Sequence, residues 1–193
     1  MTDQPRLTKI AQQAWVKYLT PGAWAIDATA GNGHDAAFIA RAVSPGGHLF
    51  ALDIQKRALQ ATARRLESEG LLSSVTLVQA DHSHMRDFLP CTAKGRIRLV
   101  CFNLGYLPGG EHSLMTRPDS TLCALRQALS LLAPNGALSV IAYRGHPGGA
   151  EEARAVESFV ASLPESWTAD FVEAPGSDAR LGPVWWLVSS GKA

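Results

Sequence analysis

A short apolar run that ends in an acid and two glycines constrains this chain more than any other stretch. It reads Trp24-Ala25-Ile26-Asp27-Ala28 and continues as Thr29-Ala30-Gly31-Asn32-Gly33. Five apolar-rich residues bounded by turn signals fit a buried strand. Gly31 and Gly33 let the backbone take positive φ and let another group approach closely. From Asp35 to Val43 the spacing becomes helical. The unit is therefore strand, tight turn, helix, and it recurs. His48–Asp53 is a second strand, followed by a helix from Lys56 to about Glu69, which Gly70 ends. Val75–Gln79 is a third strand, with a short helical stretch over Ser83–Leu89 behind it. Ile97–Asn103 is a fourth, apolar enough for a central position. A long Gly/Pro-rich loop spans Leu104 to Asp119, and a helix over Ser120–Leu132 stops at Pro134-Asn135-Gly136. Ala137–Tyr143 is a fifth strand, Glu151–Leu163 a helix, and Trp167–Glu173 and Val184–Ser189 the last two strands.

Strands alternating with helices predict an α/β, Rossmann-like, doubly wound, mostly parallel sheet of seven strands. The last two strands lack an intervening helix and are expected as an antiparallel pair at one edge. An amphipathic helix within residues 1–20 precedes the first strand. The 193 residues are read as a single domain, 1–193, without internal repeats or linkers. Trp185 and Trp186 are adjacent in a strand and must point to opposite faces.

Bulk properties exclude several classes. Hydrophobic residues make up 46% and charged residues 18%, with a formal net charge of +1. That is ordinary for a globular domain and lacks the strong basic excess of a dedicated nucleic-acid-binding module. Cys91, Cys101 and Cys123 fit neither a disulfide framework nor a zinc site, and no metal is expected. No signal-peptide core and no membrane-length apolar run is present, so the expected location is cytoplasmic and no membrane partner is expected.

The chemistry gathers at the carboxyl ends of the strands, where open α/β sheets bind ligands. Asp53, closing strand two, is placed to accept hydrogen bonds from both hydroxyls of a ribose. Two nucleotide ligands compete. Gly31-x-Gly33-x-x-Ala36, with Asp53 twenty residues after Gly33, fits the loose dinucleotide fingerprint of an NAD enzyme. Asp27 favours the other: a carboxylate repels a pyrophosphate but can meet the cationic amino group of S-adenosylmethionine. Asp81, after strand three, can reach an adenine amino group or cap a helix; His82 and His84 are weaker candidates.

Asn103-Leu104-Gly105-Tyr106 closes strand four and resembles the Asn-Pro-Pro-Tyr signature of amino-methylating enzymes. An amine nucleophile must aim its lone pair at the methyl group. The Asn103 side-chain oxygen and the Leu104 carbonyl could accept the two amine hydrogens, with Tyr106 as a wall. The bland alternative is a tight turn with a left-handed Asn. His112, and Glu111 beside it, are candidates to accept the proton. Asp119 is expected to cap the Ser120 helix. Arg144 and His146 could touch a phosphate, as could Arg6, Lys9, Lys17 and Arg117; a solvated surface explains each equally well.

With these strings in place the chain resembles the YtqB-like family of small bacterial methyltransferases formerly labelled rRNA methylases. Its better-defined members are the MnmM tRNA 5-aminomethyl-2-thiouridine methyltransferases. The two most specific strings are DATAGNGHD (residues 27–35) and NLGYLPGGEH (residues 103–112); Tyr143–Gly149 with Glu152 resembles a third block. The sequence departs from the family in Asp81-His82-Ser83-His84-Met85, which lacks the usual acid, and in Glu111, where Asp is commoner. The resemblance implies a class I methyltransferase fold and S-adenosylmethionine as methyl donor, leaving as S-adenosylhomocysteine. The implied donor site comprises Asp27, Ala28, Gly31, Asn32, Gly33, Asp35, Asp53, Gln55, Asp81, His82 and Asn103. The implied acceptor is the exocyclic amine of 5-aminomethyl-(2-thio)uridine at the tRNA wobble position. Asn103, Leu104, Tyr106 and His112 would act on it, and Gly105, Gly109, Gly110, Arg117, Tyr143, Arg144 and His146 would bind it. Recognition of the tRNA anticodon region would come from loops or a homodimer partner. Another RNA, a small-molecule amine, or a non-catalytic donor-binding scaffold remain as alternatives.

Overall fold

The computed structural model describes residues 6–107, 109, 115–176 and 181–190. Helix α1 (Leu7–Trp15) leads into β1 (Trp24–Asp27), α2 (His34–Val43), β2 (His48–Asp53), α3 (Lys56–Ser68) and β3 (Val75–Gln79). Then come β4 (Ile97–Leu104), α4 (Pro118–Leu131), β5 (Leu132–Ala142), α5 (Gly149–Ala161), β6 (Trp167–Glu173) and β7 (Val184–Ser190). The seven strands form one sheet in the order β3-β2-β1-β4-β5-β7-β6. Strands β1 to β5 pair in parallel; β7 runs antiparallel to both β5 and β6. The expected seven-stranded α/β sheet is present, and the reversed strand sits one place in from the edge, which β6 forms. None of the described helices is long and apolar enough to cross a membrane.

Strand alternation divides the core into two layers. Ala25, Leu49, Ala51, Leu99, Cys101, Ile141, Trp185 and Leu187 pack beneath α1, α2 and α3. Ile26, Phe50, Leu52, Val100, Phe102, Leu104, Val140 and Trp186 pack beneath α4 and α5. The tandem tryptophans thus enter opposite layers, 3% and 4% exposed, and Trp185 Nε1 donates to Ser139 Oγ at 2.8 Å. Trp15, among the largest fully buried side chains, anchors α1 and meets Phe38 of α2 edge-on.

Among the element boundaries that differ from the sequence expectation, three have a visible cause. Helix α1 ends four residues before Leu19, where Tyr18 N and Leu19 N both turn back to the Trp15 carbonyl. Strand β5 starts at Leu132, because Pro134-Asn135-Gly136 is absorbed as a register shift with Asn135 at φ 60. Helix α4 starts at Pro118, a residue suited to a first helical position. Arg117 occupies the cap position and Asp119 lies inside the first turn. Asp119 is therefore not the cap; its charge complements the helix N-terminus from within.

Gly33 caps α2 in the left-handed region at φ 77, and a Cβ there would stand 2.7 Å from Thr62 Cα. The glycine lets α2 and α3 meet. Gly33→Ala is expected to cost about 1–3 kcal/mol through overpacking and left-handed strain. Denaturant unfolding with an unchanged slope checks it; a variant as stable as the parent would contradict this packing.

Candidate functional site

A cleft of about 1570 Å³ opens over the carboxyl ends of β1 to β5. That exceeds the roughly 300–1,000 Å³ of a single small-ligand pocket, so two reactants fit side by side. Residues from the turn after β1, from the ends of β2, β3, β4 and β5, and from α1 line it.

The turn after β1 is tied down from three sides. Gly31, at φ 53, donates its N–H to Asp53 Oδ2 at 2.9 Å, while Gln55 N–H donates to Asp53 Oδ1 at 2.8 Å. Thr62 Oγ1 donates to the Gly31 carbonyl at 3.1 Å, and Arg65 Nε to the Asn32 carbonyl at 3.0 Å. Asp53 faces the cleft beside Ala28, Gly31, Asn32 and Gln55, as expected of a donor seat. Burial pushes its carboxyl up, opposed by the Gln55 and Gly31 N–H groups and by Arg57. Thr62 and Arg65 escaped the sequence reading because their i,i+3 spacing on a helix looks like any solvated face.

The end of β4 carries the second cluster. Asn103 Nδ2 donates to Asp35 Oδ2 at 2.8 Å, and Gln12 Nε2 of α1 donates to Asp35 Oδ1 at 2.5 Å. Asn103 N–H donates to Thr29 Oγ1 at 2.7 Å. With the amide nitrogen committed to a carboxylate, the flip state of Asn103 is fixed. Its Oδ1 is buried and has no hydrogen-bond partner among the described residues. Asp35 therefore positions Asn103 as well as lining the cleft. Gln12 had no signal in the sequence beyond lying on an amphipathic helix.

Several expectations need correction. Asp27 has no exposed surface and does not line the cleft. It lies on the α1–α3 side of the sheet, accepts from Thr29 N–H at 3.2 Å, and leaves Oδ2 unpaired among the described residues. Burial, reinforced by Asp35, pushes its carboxyl up to about 8. It supports the turn from below and presents no surface to a ligand in the cleft. Gly33 likewise stands behind the cleft wall, where its role is packing. The Leu104 side chain is buried in the opposite core layer, and its carbonyl already accepts Tyr143 N–H at 3.1 Å. The β4–β5 ladder thus engages one of the two lone pairs of the carbonyl that was expected to hold an amine. Arg144 donates to the Gly182 carbonyl at 2.6 Å and pairs with Glu173 at 3.4 Å; it fastens the β6–β7 connection instead of lining the cleft. Lys17 lies over the Tyr18 ring, outside the cleft.

Other candidates differ in whether they reach the cleft. Asp81 reaches the cleft and also caps the short helix His82–Phe88, accepting Ser83 N–H at 2.8 Å. Its carboxyl is held below the usual range because the Ser83 donors and the neighbouring histidines outweigh desolvation. His82 is buried edge-on to Phe102, and burial lowers its pKa. His84 is exposed beside Asp87. Gly105, Tyr106, Gly109, Arg117, Tyr143 and His146 line the far half of the cleft, where Tyr106 meets His146 edge-on at 5.7 Å. Arg6 and Lys9 stand at its α1 rim. Gly110, Glu111 and His112 lie outside the described residues.

Residues 49–174 match the model of the family described as "Putative rRNA methylase". The chain is 40% identical over 169 residues to the Arabidopsis thaliana protein "tRNA (mnm(5)s(2)U34)-methyltransferase, chloroplastic", covering 83% of this chain. It spans 61% of that relative's length. A crystal structure named as an rRNA methylase from Clostridium thermocellum superimposes with a TM-score of 0.89 at 31% identity, covering 98% of this chain and 100% of that one. A Streptococcus mutans methyltransferase structure in complex with SAH gives 0.83 at 29% identity, covering 96% and 98%.

The buried acid gives a pH signature. Unfolded, Asp27 loses its proton near 3.8; folded, it holds it to about 8. Between those values the native state binds more protons, so stability falls as pH rises. Asp27→Asn, isosteric with the protonated acid, is expected to flatten the fall in melting temperature between pH 5 and pH 8. Parallel curves for the two proteins would refute the assignment.

Proposed function

Because the chain belongs to the "Putative rRNA methylase" family, we propose that it transfers a methyl group from S-adenosylmethionine to the exocyclic amine of 5-aminomethyl-(2-thio)uridine at the tRNA wobble position, in the cytoplasm. The observation that carries this reading is Asn103 Oδ1: a buried acceptor without a partner among the described residues, on an amide whose nitrogen is locked by Asp35. Leaving such an acceptor unpaired costs about 1–3 kcal/mol, which an incoming amine N–H would recover. The relative's name supports the acceptor class, and the SAH-bound neighbour supports the donor.

The residues present fit the donor. Asp53, already oriented by two backbone N–H groups, would hold the ribose hydroxyls. The Gly31–Asn32 turn supplies close backbone approach, Gln55 lines the same wall, and Asp81 with His82 would flank the base. Bound there, the donor supplies a methyl group on a positively charged sulfur. What the chain adds is mostly orientation. Asn103 would fix one amine hydrogen, which narrows the directions open to the lone pair, and the wall of Tyr106 and Tyr143 limits the approach of the acceptor. Orientation of this kind can supply several kcal/mol of a barrier. The amine must be neutral to attack; Glu111 and His112 remain the proposed proton acceptors. Arg6, Lys9 and Arg117 on the rim are placed to meet RNA phosphates.

Incubation with labelled donor and tRNA from cells lacking the modification should place label in the wobble nucleoside. Asn103→Ala should lower kcat/KM by about 10²–10³-fold, as loss of one preorganised polar group does. Label in ribosomal RNA alone would redirect the acceptor assignment, and an Asn103→Ala enzyme of full activity would overturn the mechanism.

A further inference from the structure

Glu152 lies in the first turn of α5 and is 1% exposed. A carboxylate this deep needs donors for both oxygens, and it has them. Thr116 Oγ1 donates to Oε2 and Thr121 Oγ1 to Oε1, each at 2.6 Å. The two arms reach different places. Thr121 belongs to α4, so its arm joins α4 to α5. Thr116 lies before α4, and its hydroxyl also accepts the Gly105 N–H at 2.8 Å.

A hydroxyl has one proton to give. Thr116 gives it to Glu152, which leaves its lone pairs for Gly105, so the chain of bonds has one direction: Gly105 N–H to Thr116 to Glu152. Thr116 N–H returns to the Gly105 carbonyl at 2.9 Å, and Tyr106 bridges Met115 next to it. The Gly105 peptide is thus gripped from both of its sides. Gly105 adopts φ 150, and a Cβ there would stand 3.4 Å from His146 Nε2. Between Asn103 and Tyr106 there is little backbone to absorb an error.

We propose that Glu152 is a positioning residue: through the Thr116 hydroxyl it fixes the Gly105–Tyr106 segment that walls the acceptor half of the cleft. The donor half is held by separate bonds, from Asp53, Thr62 and Arg65. The catalytic consequence rests on the methyl-transfer reading; the tether itself does not.

Thr116→Val, Thr116→Ser and Thr121→Val separate this role from simple stapling of two helices. Thr116→Val is expected to bind S-adenosylhomocysteine as the parent does and to lose about 10- to 100-fold in kcat/KM for tRNA, the scale of a misplaced reacting group. Thr116→Ser, which keeps the hydroxyl, should recover most of it. Thr121→Val should lower the melting temperature while leaving kcat/KM near the parent's. Hydrogen–deuterium exchange of the peptide spanning residues 103–107 should quicken in Thr116→Val and not in Thr121→Val. Unchanged exchange in Thr116→Val overturns the tether whatever the activity. Quickened exchange with unchanged kcat/KM, or a Thr116→Ser as impaired as Thr116→Val, overturns the positioning role. A parent protein that methylates no RNA removes the proposed function but leaves the exchange result to decide the tether.

Discussion

The twofold alternation of side chains along a strand is the constraint from which the site follows. In β1, β2 and β4 the residues that face α1–α3 are every second one: Ala25, then Leu49 and Ala51, then Leu99 and Cys101. One further step along each strand gives Asp27, Asp53 and Asn103. The polar groups therefore emerge on one side of the sheet, at its carboxyl edge, beneath the N-terminus of α2. A one-residue slip in any strand would turn its terminal group into the α4–α5 layer.

The carboxyls crowded into this corner differ in the donors that reach them. Asp53 takes two backbone N–H groups and Asp35 two side-chain amides. Asp27 has one N–H from Thr29 and no solvent, and it is the acid that burial pushes up to about 8. The corner thus combines oriented acceptors on the cleft wall with a fully buried carboxyl below, whose pKa burial raises. That division follows from depth in the sheet, since Asp27 is fully buried.

The sequence was legible where the signal is local. Strand and helix alternation, the glycine turn and the positions of Asp53 and Asn103 all come from patterns shorter than a dozen residues. It was misleading where a group's fate is settled by a distant partner. Nothing near Leu104 says that Tyr143 will take its carbonyl, and nothing near Arg144 says that Gly182 and Glu173 will hold its guanidinium. Asp27 looked like a ligand contact because an acid after a strand often is one; its complete burial off the cleft wall shows otherwise. Gln12 was invisible as a site residue for the same reason: its partner Asp35 lies 23 residues away.

The docking of α1 also bears on when the site comes into being. Helix α1 rests on β5 and β7, the latter near the far end of the described chain, and from that position it presents Gln12 to Asp35. During synthesis the first helix leaves the ribosome long before the strand it must lie against. Until β7 has slipped in between β5 and β6, α1 lacks part of its platform, and Asn103 lacks the full bracing of its carboxylate. A nascent chain could close the donor turn early, from β1, β2 and α3 alone, yet would acquire an aligned acceptor half only once β7 has been made.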